Sequence, residues 1–295
     1  MDSYDALTKL LTENLVYELT KALALPQTPM IRKLIASLAG KAICRFTELA
    51  AELDCIVGRE GLPGGARWLL PRLVKGHSAR GVENIPAAGP LVIASNHPAS
   101  IDSVVISAHV SRDDYKIIIG EIPFFKNLPN IKNKAIFAPE SMDSMGRMKV
   151  VREVLRHLKQ GGAILIFPRG DIEPDPAWMP HPDAEFHHWS RSLEIFLKQV
   201  PGTQVLVTIT SGVIAKSAMH SPITWFRKDR PDRQRLAFMV QIIRQMLAGR
   251  EIFSLTPRVT FGDLISTENT IDHEHMFQMI TASAHRVLEE HMLQV

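Results

Sequence analysis

A histidine and an aspartate lie five positions apart, just after a short apolar segment. The segment runs from Leu91 to Ser95, and Asn96, His97 and Pro98 separate it from Asp102. An imidazole can take a proton from a hydroxyl group when a carboxylate fixes its tautomer and stabilises its charged form. These residue types at this spacing therefore suit general base catalysis, with His97 as the base and Asp102 as its partner.

The flanking sequence predicts the elements that hold this pair. The apolar run 91–95 is typical of a strand that is buried on both faces, and Ser100 is placed to cap a helix that continues to about Val110. In an open α/β sheet, the site forms in the crevice beyond the carboxyl ends of the strands. The alternative is structural: the histidine stabilises a turn, and Asp102 lies at a helix N-terminus, where the helix dipole favours a negative charge.

A second strand and turn of the same kind follow later in the chain. Residues 163–167 are apolar, and Pro168, Arg169 and Gly170 come next. Together with His-x4-Asp, this turn resembles the glycerophospholipid acyltransferase superfamily, whose members carry His-x4-Asp and then Phe-Pro-Glu-Gly. The resemblance extends from about Arg80 to Gly212, which is under half of the chain.

The resemblance implies a reaction and a set of site residues. The acyl donor would be a thioester of coenzyme A or acyl carrier protein, which acts as co-substrate, and no metal or other cofactor is expected. The acceptor would be glycerol-3-phosphate or a lysophospholipid. His97 and Asp102 would be catalytic, and the residues that match the remaining motif positions would bind substrate: Asn96, Ser100, Phe167, Pro168, Arg169 and Gly170.

The sequence departs from the family pattern at several positions. Asp171 stands where the family has threonine, the last strand lacks the proline of the family's Val-Pro-Val, and two further departures bear on the acceptor. The family has an arginine that meets the acceptor's phosphate after its third strand, whereas residues 138–140 here are Ala-Pro-Glu. Arg169 stands where the family has glutamate. A guanidinium can hold a phosphate through two parallel hydrogen bonds, so we expect Arg169 to bind the acceptor's anionic group. The alternative is that Arg169 pairs with Asp171 or Glu173.

These departures keep other functions open. One is a hydrolase, or an acyltransferase with an amine or a sugar as acceptor. Another is a lipid-binding relative that has lost activity, although the presence of both His97 and Asp102 argues against it. Sequence alone does not identify the acyl chain length, the donor, the acceptor or the oligomeric state.

The order of the predicted elements indicates an α/β fold with a mostly parallel central sheet flanked by helices. Four further segments have strand character: residues 115–119, 135–138, 204–209 and 258–261. Before them, leucines recur at helical spacing, which predicts an all-helical N-terminal subdomain. The glycine-rich segment 61–65 marks its boundary. We therefore divide the chain into a helical subdomain, residues 1–60, and an acyltransferase domain, residues 61–295.

Composition and charge indicate a cytoplasmic protein that meets lipid only at the membrane surface. The chain has 295 residues, of which 45% are hydrophobic, and two cysteines, which is typical of a reducing compartment. No apolar run approaches the roughly 18 to 20 residues of a membrane span. The net charge of +3 does not indicate nucleic acid binding. Residues 67–75 mix aromatic and basic side chains, which fits either a membrane interface or a helix packed on the core with solvated arginines. Residues 225–235 have the same mixture, which fits an anionic lipid surface, the phosphates of a carrier such as coenzyme A, or a simple solvated loop.

Overall fold

The fold is described from a computed structural model that covers residues 2–139, 144–266 and 273–293. Within these residues, seven strands form one sheet. The strands are β1 (Ser78–Arg80), β2 (Leu91–Ser95), β3 (Lys116–Gly120), β4 (Ala135–Ala138), β5 (Ala163–Ile166), β6 (Gln204–Ser211) and β7 (Arg258–Ser266). Their order is β1-β7-β6-β2-β5-β3-β4, and each neighbouring pair is parallel except β6 with β7.

Helices flank this sheet. The α-helices of the described residues are α1 (Asp2–Ala22), α2 (Pro29–Leu73), α3 (Asp102–Ser107), α4 (Pro123–Lys126), α5 (Pro129–Lys134), α6 (Ser144–Lys159), α7 (Ser192–Gln199), α8 (Lys216–Met219), α9 (Arg230–Ala248) and α10 (His273–Met292). Short 3-10 helices span Val82–Asn84, Pro182–His188 and Pro222–Phe226. The predicted α/β class, with its mostly parallel sheet and helical N-terminal region, is confirmed.

The centre of the sheet is the apolar segment singled out in the sequence. All five residues of β2 are buried, between β5 on one side and β6 on the other. Alternate side chains enter different cores, because successive residues of a strand point to opposite faces. Leu91 and Ile93 belong to one core, and Val92 and Ala94 to the other. The carboxyl end of β2 therefore has little freedom to move.

The N-terminal region consists of α1 and the long helix α2. Pro29 is the first residue of α2, and the Thr28 hydroxyl accepts a hydrogen bond from the Ile31 N–H at 3.4 Å. At Gly61 the backbone leaves helical geometry with φ of 70°, and the helix then continues to Leu73. The glycine-rich segment 61–65 is thus a kink inside one helix. The division of the chain at residue 60 stays a prediction.

The last turns of α2 include the first of the two basic-aromatic segments. Leu69, Leu70 and Leu73 are buried in the core that also contains Leu91, and the Arg72 guanidinium lies 3.8 Å from the centre of the Trp68 ring. This packing favours the ordinary surface helix over a membrane contact for residues 67–75. Among the described residues, no helix is long and apolar enough to cross a bilayer.

Candidate active site

The two sequence motifs meet at the carboxyl ends of neighbouring strands. β2 and β5 are paired in parallel, with Ala94 opposite Ile166, so the chain leaves both strands on the same edge of the sheet. As a result, the His97 and Phe167 rings stack with centroids 4.2 Å apart and planes inclined by 25°. The loops after β2 and β5 therefore meet at the edge of the sheet where the sequence places the site.

The imidazole of His97 and the carboxylate of Asp102 are directly hydrogen-bonded. The distance from His97 Nδ1 to Asp102 Oδ2 is 2.8 Å; Asp102 is fully buried, and 22% of the His97 side chain is exposed. Oδ2 also accepts the Ala99 N–H at 3.2 Å, and Oδ1 accepts the Ser103 N–H at 2.6 Å. A carboxylate has no proton to give, so the neutral ring carries its proton on Nδ1 and keeps Nε2 as an acceptor.

The surroundings raise the pKa of His97. Burial lowers this pKa, since it disfavours the imidazolium, but the charge and the hydrogen bond of Asp102, together with the charge of Glu173, outweigh burial. The charge of Arg235 also lowers the pKa. The net result is a pKa above the ordinary value of 6.5.

Two predicted substrate-binding residues of the first motif have different surroundings. Asn96 is buried; its Nδ2 donates to the Thr210 carbonyl at 3.0 Å, and its Oδ1 accepts the Thr210 N–H at 2.8 Å. Its side chain thus fastens the end of β2 to β6. Ser100 is exposed, and its carbonyl accepts the Ser103 hydroxyl at 2.9 Å.

The prediction that Ser100 caps the helix is wrong. α3 begins at Asp102 with Ile101 as its capping residue, and it ends at Ser107 instead of about Val110. The reason is that the Asp102 carboxylate itself accepts the N–H groups of Ala99 and Ser103. Ser100 as a substrate-binding residue stays a prediction.

The second motif forms a tight turn beside His97. Pro168 is buried, and its carbonyl accepts the Ser190 N–H at 2.9 Å. Gly170 has φ of 69°, a left-handed conformation that favours glycine, and its N–H donates to the Phe167 carbonyl at 3.0 Å. Pro168 and Gly170 therefore shape the turn that presents Phe167 and Arg169.

Arg169 has a partner that the sequence did not suggest. Its Nε donates to Glu185 Oε2 at 2.7 Å, while Glu185 Oε1 accepts from Arg230 Nη2 at 2.8 Å. The hydrogen bond and charge of Glu185 raise the pKa of Arg169. Neither Asp171 nor Glu173 pairs with Arg169, and Asp171 instead pairs with Arg235. One carboxylate thus lies between two guanidiniums, which leaves this group of three side chains with one excess positive charge.

Sequence reasoning missed Glu173 as a residue of this site. The Glu173 side chain is fully buried; Oε2 accepts the His97 N–H at 2.8 Å, and Oε1 accepts the Trp189 indole N–H at 3.0 Å. Burial raises the pKa of Glu173 to about 7. Most glutamates in irregular segments are exposed, so a single sequence offered no signal for this one.

A second buried carboxylate, Asp175, lies two residues after Glu173 and does not contact His97. It accepts the consecutive N–H groups of Gly212, Val213 and Ile214 at 2.8, 2.9 and 3.2 Å. Burial raises the pKa of Asp175. The segment after the second motif is in this way tied to the loop that follows β6.

Comparison with known proteins agrees with the motifs. Residues 78–193 match the family model described as Acyltransferase, a range that includes both the His97–Asp102 pair and the turn 167–170. The crystal structure of the 1-acyl-sn-glycerophosphate (LPA) acyltransferase PlsC from Thermotoga maritima is similar, with 18% identity over 84% of this chain and 80% of that chain, and a TM-score of 0.48. Among curated proteins, none matches the sequence.

Proposed function

We propose that this chain, which carries an acyltransferase domain in residues 78–193 and resembles the glycerophospholipid acyltransferase superfamily, moves a fatty acyl group from a thioester to a hydroxyl group. The donor is the acyl thioester of coenzyme A or of acyl carrier protein, and the acceptor is glycerol-3-phosphate or a lysophospholipid. The observation that carries the proposal is the 2.8 Å hydrogen bond between His97 and Asp102 at the end of the central strand.

The geometry supports a direct transfer with His97 as general base. Because Asp102 holds the Nδ1 proton, Nε2 takes the proton of the acceptor hydroxyl as its oxygen attacks the thioester carbonyl carbon. Asp102 stabilises the imidazolium that forms. The carbon–sulfur bond then breaks, and His97 returns the proton to the leaving sulfur. The products are an ester and a free thiol, and His97 is regenerated.

Incubation with labelled donors tests this function. Purified protein is mixed with labelled acyl-CoA, or with acyl carrier protein that carries a labelled acyl thioester, and a panel of acceptors: glycerol-3-phosphate, lysophosphatidate, an amine and a sugar. Detection of an acylated glycerolipid by mass spectrometry supports the proposal. An acylated amine or sugar, or free fatty acid alone, identifies one of the alternative reactions. Lipid binding without any product identifies an inactive relative.

We predict that Arg169→Ala raises the acceptor KM about ten- to a hundred-fold. Glu185 contacts only Nε of Arg169 among the described hydrogen bonds, so it orients the guanidinium while the two terminal nitrogens can donate to a phosphate. Hydrogen bonds to charged groups contribute about 1.5 to 3 kcal/mol, and each 1.4 kcal/mol is tenfold in affinity. Steady-state kinetics with varied acceptor measures the effect, and the donor KM should change less.

Two further variants sharpen this test. Arg169→Lys should recover little, because an ammonium group cannot reproduce the fork of a guanidinium. Arg169→Glu should bind the acceptor worse than Arg169→Ala, because it places a second carboxylate beside Glu185. Arg191→Ala is the matched control, since Arg191 is a surface arginine paired with Glu194. An unchanged acceptor KM in Arg169→Ala rules out this role.

We also propose that residues 225–228 contact an anionic membrane surface. Trp225 and Phe226 are 71% and 75% exposed, and the exposed Lys228 follows them. Burial of an aromatic side chain contributes roughly 1.5 to 3 kcal/mol. Trp225→Ala with Phe226→Ala should therefore weaken binding to phosphatidylserine-containing vesicles at least about tenfold. Met145→Ala is the control, because Met145 is an exposed apolar residue on α6. An equal loss of vesicle binding in this variant and in the Trp225→Ala, Phe226→Ala variant would contradict the proposal.

A further inference from the structure

We propose that Glu173 is a positioning residue, which holds His97 in the place and the tautomer that a general base requires. Glu173 lies outside both sequence motifs. The proposal rests on the proposed function only where a reaction rate is measured, and its other measurements need no substrate.

Glu173 forms two hydrogen bonds with the main chain of His97. The Glu173 N–H donates to the His97 carbonyl at 2.8 Å, and the Glu173 carboxylate accepts the His97 N–H at 2.8 Å. One residue thus satisfies both backbone polar groups of His97 in a loop that has no strand partner at this position. The main chain of His97 can shift relative to Asp102 only if these two hydrogen bonds break.

Other side chains hold Glu173 itself in place. The Trp189 indole N–H donates to the second carboxylate oxygen at 3.0 Å. Gln234 of α9 donates to the Glu173 carbonyl at 2.8 Å and to the Pro98 carbonyl at 3.2 Å. The loop after β2, the loop after β5 and α9 therefore meet at this residue. Each carboxylate oxygen accepts an N–H, an arrangement that an amide cannot reproduce, because its NH₂ group would face a donor.

The charge of Glu173 also acts on His97. The charged groups around Glu173 are His97, Arg169 and Glu185. Burial raises the pKa of Glu173 to about 7, whereas its two N–H donors and the charge of His97 lower it. Above that pH, the negative charge of the carboxylate favours the imidazolium of His97. Removal of this charge should consequently lower the pKa of His97.

Glu173→Gln tests the proposal by removing the charge and one acceptor while keeping the shape. We expect kcat to fall about ten- to a hundred-fold with little change in either KM, because a displacement of about 1 Å at the reacting group costs this much. Nitrogen chemical shifts of the His97 ring report its pKa and its tautomer, and His97→Ala identifies the signal. In Glu173→Gln the pKa should fall, and a fraction of the rings should carry the proton on Nε2.

Two other variants separate positioning from general stability. Asp175→Asn alters an equally buried carboxylate of the same segment that does not contact His97, so it should lower the melting temperature without shifting the pKa or the tautomer of His97. Glu173→Asp keeps the charge with a shorter reach, and should keep the pKa of His97 closer to the parental value while kcat still falls. If Glu173→Gln does not fold, Glu173→Asp provides the test through kcat and the tautomer.

The outcomes distinguish this inference from the proposed function. The inference is overturned if Glu173→Gln leaves the pKa and tautomer of His97 unchanged, or if Asp175→Asn shifts them equally. The pKa and the tautomer of His97 can change in Glu173→Gln but not in Asp175→Asn, while the parental protein transfers no acyl group. In that case the positioning role stands and the proposed function fails.

Discussion

His97→Ala should reduce acyl transfer about 10²- to 10⁴-fold, which is the usual loss when a general base is removed. The variant should remain folded. Glu173 bonds only the main chain of residue 97, which alanine retains, and the lost stack on Phe167 is worth roughly 0.5 to 1.5 kcal/mol. Measurements of kcat and of the melting temperature on the same preparation separate the two effects.

The pH dependence gives an independent check of the same role. Only the neutral imidazole accepts a proton, and the pKa of His97 is above 6.5 because Asp102 and Glu173 favour its charged form. In the parental protein, kcat/KM should therefore rise with pH through a pKa above 6.5. His220→Ala, which alters an exposed histidine just after α8, should keep the parental rate and profile. Parental activity in His97→Ala would refute the mechanism.

The sequence predicted the central strand and the motifs well because both depend on local patterns. An apolar run bounded by Gly89, Pro90 and Pro98 has few alternatives to a buried strand, and β2 has the predicted bounds. The stack of His97 on Phe167 was not predicted; it arises because the parallel β2–β5 pair places the loops after both strands at one edge. β1 was not predicted, because a three-residue strand carries almost no pattern.

The partners of the charged residues could not be predicted in this way. Arg169 was expected to pair within its own loop or to bind an anion, yet Glu185 comes from a 3-10 helix whose position depends on the packing of residues 182–189. Glu173 and Asp175 look like ordinary loop acids in the sequence. Their burial follows from tertiary contacts with Trp189 and with the loop after β6, which no local pattern encodes.

Asn96 is another residue whose partner the local sequence did not predict. Its place in the first motif suggested contact with substrate, but both of its polar side-chain atoms bond the backbone of Thr210. An asparagine at a strand end can serve a ligand or a neighbouring strand, and both uses require the same residue type. The bonds to Thr210 depend on the parallel β2–β6 pairing, which is a long-range feature, and substrate binding by Asn96 stays a prediction.

Asp102→Asn should lower kcat by up to about 10⁴-fold, the loss that the same change causes in the Ser-His-Asp triad. Asp102 accepts three N–H groups, from His97, Ala99 and Ser103. An amide has one acceptor oxygen, so its NH₂ group must face either the Ser103 N–H or the imidazole. In the second orientation, the ring must turn its unprotonated Nδ1 to the amide and carry the proton on Nε2, where it cannot act as a base.

The split between kcat and KM decides whether Asp102 acts through His97. If Asp102 orients the base, kcat falls while the acceptor KM changes little, and the nitrogen shifts of the His97 ring show the proton moved to Nε2. Asp114→Asn is the control, because Asp114 also pairs with a cation but is 44% exposed and lies outside the crevice loops. A variant with normal kcat and a raised acceptor KM would instead make Asp102 a binding residue. The 2.8 Å contact between Asp102 and His97 would then not contribute to kcat.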